Sequence, residues 1–77
     1  MSQQIQKDYY AIIGEIWKAF RKHIETVSQI TSATDPRWKT ICNDFDAIEA
    51  RAPEHMKRYA SAMVLLHVDE LERRWRH

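Results

Sequence analysis

"TSATDP", residues 31–36, is the stretch on which the fold turns. It is a polar, turn-forming cluster set between two segments of helical periodicity. Asp35 can accept from the backbone at the start of a helix. Pro36 suits the first helical position, where a missing N–H costs nothing. One helix therefore ends just before this cluster, and another begins at Pro36.

On the N-terminal side, Ile5, Tyr9, Ile12, Ile13, Ile16, Phe20, Ile24 and Val27 recur at steps of three and four, with Lys7, Glu15, Lys18, Lys22 and Glu25 opposite. That pattern predicts a helix over about residues 3–30. On the C-terminal side, Trp38, Ile41, Cys42, Phe45 and Ile48 mark the apolar face of a second helix, about residues 36–52. Pro53 disfavours helix at Ala52 and suits the first turn of a third helix, with Glu54 beside it at the positive helix end. That third helix, about residues 53–76, carries Met56, Tyr59, Ala60, Met63, Leu66, Val68, Leu71 and Trp75. One long helix kinked at Pro53 is the alternative. The expected fold is a single all-α domain, residues 1–77, folded as an antiparallel three-helix bundle with long first and third helices.

Composition agrees with few turns and long elements. The chain has one glycine and two prolines in 77 residues, with 44% hydrophobic and 30% charged side chains. Twelve basic and eleven acidic residues leave a net charge of +1, which gives no support to a dedicated nucleic-acid binder. A single cysteine, Cys42, cannot form an internal disulfide and suits a reducing, cytoplasmic compartment. No apolar run approaches the ~18 residues of a membrane span. The opening MSQQIQKDYY lacks the apolar core of a signal peptide.

The helix lengths do not match: about 24 to 28 residues for the outer two against about 17 for the middle one. Folding back near residue 33 sets Ile24 level with Cys42 and Trp17 with Glu49. Folding back at Pro53 sets Met63 level with Cys42 and His67 with Trp38. The predicted layers are Phe20 with Phe45 and Tyr59, then Ile24 with Cys42 and Met63, then Val27 with Trp38 and His67. Beyond them Ile5, Tyr9, Tyr10, Ile12 and Ile13 overhang the Pro53 turn by ~13 Å or more, while Leu71 and Trp75 overhang Pro36. Each large apolar group left in water forgoes ~1.5–3 kcal/mol, against the ~3–5 kcal/mol that a core of this size leaves. The expectation is a homodimer in which the overhangs pack on a second copy, or a bend at Gly14.

Tyr10 and Trp17, seven residues apart with Ile13 and Arg21 nearby, form an aromatic edge suited to anchor a partner protein, unless helix three buries it. The expected partner-binding set is thus Ile5, Tyr9, Tyr10, Ile12, Ile13, Trp17, Leu71 and Trp75. In "DELERRWRH", residues 69–77, acids precede bases by four in Asp69–Arg73, Glu70–Arg74 and Glu72–Arg76, the favourable helical order. Positive charge is also favoured at a helix C-terminus. A nucleic-acid contact through Arg73, Arg74 and Arg76, with Lys18, Lys22 and Arg58, is the alternative use.

Chemistry has few candidates. No two of His23, His55, His67 and His77 stand three or four apart, so no helix offers a histidine pair to a metal. His67 projects among apolar residues with Glu70 near it, which suits a hydrogen-bonded interfacial histidine or half of a metal site. Asp44, Asp46 and Glu49 lie in "NDFDAIE", residues 43–49, but without the glycine of a metal loop, and their carboxylates point to different sides. Cys42 follows the core face with no basic neighbour, which predicts a buried, inert thiol. One glycine cannot make a phosphate-binding loop. No catalytic, cofactor or metal residues are expected, and the chain reads as non-enzymatic.

"DYYAIIGEIWKAF", residues 8–20, and "DELERRW", residues 69–75, resemble small uncharacterised helical proteins of bacterial genomes, prophages and integrated mobile elements. The resemblance covers about a third of the chain and leaves out the middle. It implies an all-helical fold in a cytoplasmic, mobile-element setting, and brings no activity. The reading is a self-associating protein–protein interaction module, with a nucleic-acid-binding accessory factor as the alternative.

Overall fold

The computed structural model describes residues 3–76 and has three helices packed against one another: α1 (Gln3–Val27), α2 (Pro36–Arg51) and α3 (Lys57–Trp75), with a 3-10 turn at Glu54–Met56. It is a rod of 45 × 16 × 15 Å. Phe45, Ile16, Ile41, Met56, Leu71 and Val27 are fully buried along its axis. α1 is helical throughout, so the alternative of a fold-back at Gly14 is not taken.

The first turn follows the sequence. Asp35, extended at ψ 128°, accepts from the Arg37 N–H at 2.9 Å, and Pro36 opens α2. The Arg37 guanidinium closes on the same carboxylate and reaches the Gln29 carbonyl at 3.1 Å, tying the end of α1 to the start of α2. The α1–α2 register is the expected one. His23 and Lys22 meet Asp44, and Glu15 takes Arg51 at 2.6 Å.

The second turn differs. Pro53 breaks the helix: Ala52 (ψ 136°) and Pro53 (ψ 151°) are both extended, and α3 starts only at Lys57. Two extended residues rise ~3.3 Å each and a 3-10 turn ~2.0 Å per residue, together on the order of 12 Å. That length carries the chain past the end of α2 before it returns. Lys57 then donates back to the Glu49 and Ala50 carbonyls, at 3.4 and 3.1 Å, at the negative C-terminal end of α2, where the Glu49 carbonyl also accepts the Ala52 N–H.

As a result α3 lies about two turns, ~11 Å, further toward the start of α1 than simple reflection gives. Phe20 meets His67, not Tyr59; Tyr59 meets Tyr9; Trp38 meets Trp75, not His67. The expected overhangs are therefore filled from within the chain, except at Tyr10 and Ile13, which stay exposed. His55 and Tyr59 cover Tyr9, Ile12 is buried, and Leu71 has no exposed surface. Trp75 packs on Trp38 and donates to the Ile30 carbonyl at 2.8 Å. Ile5 is half-buried.

Candidate interaction surface

α1 presents two stripes. One, through Ile12, Ile16, His23 and Val27, is buried. The other runs Tyr10, Ile13, Gly14, Trp17 and Arg21, at steps of three and four, so it lies along one line of the helix. Its large side chains remain in solvent: Tyr10 is 83% exposed, Trp17 51% and Ile13 41%. α3 does not bury the aromatic edge. It extends it with Leu66, 62% exposed, which lines a groove with Trp17, Phe20, His67 and Glu70. Trp17 stacks on Phe20 with ring centres 5.7 Å apart and planes at 21°. Phe20 in turn meets His67 edge to face at 5.4 Å, so the groove has an aromatic floor. A second apolar groove continues along Ile5, Gln6, Tyr9, Tyr10 and His55.

Gly14 sits at the centre of the exposed stripe. A Cβ built there meets nothing within 4 Å, so no packing inside this chain calls for glycine. In a helix interior it costs ~1 kcal/mol against alanine. Lys7, Lys18 and Arg21 flank the stripe, and none of them makes an ion pair among the described residues.

The described histidines are each tied to a neighbour. His67 Nδ1–H donates to the Met63 carbonyl at 2.7 Å, while Glu70 turns to Arg73 and Arg74. His55 donates to Asp8 at 2.9 Å, and His23, buried on the core face of α1, donates to Asp44 at 2.7 Å. These bonds hold both carboxyls below the ordinary aspartate value of 3.8: His55 and then Gln4 for Asp8, His23 and then the Lys22 charge for Asp44. His77 lies outside the described residues. Sequence reading left His23 unplaced, although it stands seven after Ile16 and four before Val27, which puts it on the core stripe.

No group of three or more His, Cys, Asp or Glu side chains that could hold a metal ion occurs among the described residues. Cys42 is exposed rather than buried, because α3's displacement leaves it at the open side of the α2/α3 groove beside Val64, Leu65 and Val68. Partial burial of the thiol, with the charges of Asp46 and Glu72, pushes its pKa up. Of the tail pairs, Glu70–Arg74 forms at 3.4 Å. Arg73 takes Glu70 at 2.6 Å in place of Asp69, and no Glu72–Arg76 pair occurs among the described residues. No described helix is long and apolar enough to cross a membrane. Comparison with protein-family models, curated proteins and solved structures finds no match.

Proposed function

We propose that this chain is a non-enzymatic interaction module that self-associates, and that its working surface is the α1/α3 face built on Tyr10, Ile13, Trp17 and Leu66. The observation that carries the reading is the outward placement of these four side chains on one face of a rod whose other large apolar groups, Leu65 apart, are buried or half-buried among the described residues. A contiguous apolar patch with charged borders is the usual mark of a protein-binding surface. Trp17, already stacked on Phe20, is a half-exposed aromatic of the type that serves as a hot-spot anchor. Of the overhanging residues only Tyr10 and Ile13 contribute to this surface, since Ile12, Leu71 and Trp75 are engaged within their own chain.

The test is sedimentation equilibrium of the wild type and of Trp17→Glu over rising concentration. Trp17 is half-exposed, so the variant keeps its fold, with a melting temperature lowered only by the lost stacking on Phe20. A hot-spot loss of about 2 kcal/mol or more weakens association by roughly 30-fold. A wild type that stays monomeric at millimolar concentration, or a Trp17→Glu chain that associates as before, defeats the reading. Nucleic-acid contact through the tail has less behind it, because Arg73 and Arg74 are already held by Glu70.

A further inference from the structure

The α1/α3 face has a counterpart elsewhere on the same molecule. The α2/α3 groove is lined by Cys42, Asp46 and Glu49 from α2 and by Val64, Leu65 and Val68 from α3. Leu65 is 61% exposed at its edge. Asp69 and Glu72 follow Leu65 at steps of four and three along the same side of α3. None of Asp46, Glu49, Asp69 and Glu72 has an ion-pair partner among the described residues. Lys39 and Arg58 stand toward the two ends of the groove, seven residues from Asp46 and from Leu65, so its middle is acidic.

Resting on the α1/α3 reading above, we propose that the exposed stripe of α1 in one copy packs into the acidic α2/α3 groove of the next, so that copies join head to tail.

Three features select this occupant. The first is charge. Lys7, Lys18 and Arg21 border the α1 stripe, so two such faces related by a two-fold axis centred on Gly14 set Lys18 and Arg21 of one copy close to Lys7 of the other. Like charges in register are repulsive, whereas the groove is lined by the carboxylates of Asp46 and Glu49, with Asp69 and Glu72 further along the same side of α3. The second is length. From Tyr10 to Arg21 the stripe runs ~16 Å at 1.5 Å per residue, and from Ser61 to Glu72 the groove wall runs the same distance. The third is Gly14, which no neighbour in its own chain requires and which lets the α1 backbone approach a facing helix closely. A contact between two different surfaces does not close on itself at two copies; it continues as an open row or closes as a ring.

Sedimentation of charge-swapped chains tests this. Lys18→Glu/Arg21→Glu alters the stripe, and Asp46→Lys/Glu49→Lys alters the groove; all four positions are ion-pair-free, so both chains keep the wild-type melting curve. The wild type is expected to grow past a dimer with concentration, and to dissociate as salt rises. Each double variant alone stays monomeric, and an equimolar mixture of the two associates again, because each altered surface then meets its opposite. In the wild type, alkylation of Cys42 slows as copies assemble, since the thiol lies in the groove. Gly14→Ala raises the melting temperature but weakens assembly. A wild type that stops at a dimer, with Asp46→Lys/Glu49→Lys unaffected and Trp17→Glu monomeric, overturns the head-to-tail contact and leaves the α1/α3 surface standing. A mixture that stays monomeric also overturns it. Trp17→Glu associating as the wild type does removes both.

Discussion

Trp38 and Trp75 meet edge to face at 5.3 Å, yet only Trp75 has an acceptor for its indole N–H. The Trp38 Nε1 is buried without a partner among the described residues. A satisfied indole and an unsatisfied one in the same contact give opposite weights to the same replacement. Trp75→Phe loses the bond to Ile30, while Trp38→Phe removes a donor that gains nothing. Trp75→Phe is therefore expected to be the more destabilising by about 1 kcal/mol, read from urea midpoints. The His23–Asp44 pair, buried on the histidine side and half-buried on the aspartate side, has a pH signature. Asp44 is held below 3.8 in the folded chain, so the unfolded chain binds more protons in acid. The stability this pairing contributes is present above 3.8 and is lost as pH falls through the folded value. Asp8, tied to His55, adds to the same loss. Asp44→Asn should lower the urea midpoint near neutrality and lose less of it between neutral and strongly acid solution than the wild type. His23 could have been assigned to the core from its spacing alone; its partner could not, because that needs the level at which α2 crosses α1.

At the scale of the element, the first turn was legible and the second only in part. Asp35 and Pro36 name their positions by chemistry, and the short link between them and Val27 leaves little choice of register. Pro53 announces a break at Ala52. Periodicity carries no information on how far the extended residues travel before α3 begins. That distance displaced the ring contacts of α3 with α1 and α2, and it explains why Leu71 and Trp75 looked stranded and are not, and why Cys42 looked buried and is exposed. Lys57 holds this junction by bonding to the carbonyls of Glu49 and Ala50. Lys57→Met keeps the aliphatic stem and removes the charge at the C-terminal end of α2. It should cost roughly 0.3–1 kcal/mol, measurable as a lower thermal midpoint, and the loss should shrink in high salt. Asp35→Ala at the other turn should cost about 0.5–2 kcal/mol.

Across the whole molecule, the distinction between the two stripes of α1 makes a clean pair of expectations. Ile12 lies in the core and Ile13 beside it faces out. Ile12→Glu buries an unpaired carboxylate and should unfold the chain, seen as loss of the helical circular-dichroism signal. Ile13→Glu should leave that signal intact and weaken self-association. The aromatic edge was visible from spacing as an edge; whether α3 would cover it depended on the same displacement that periodicity could not supply.

Three rods joined in series leave the chain's described ends far apart. Gln3 lies beyond the Asp8–His55 tie at one tip, and Arg76 follows Trp75 at the other, so a 45 Å body separates them. A peptide sewn between those tips to make a circular permutant must bridge most of that span, on the order of a dozen extended residues. Cargo fused to one tip is likewise held at a fixed remove from cargo fused to the other, as on a spacer.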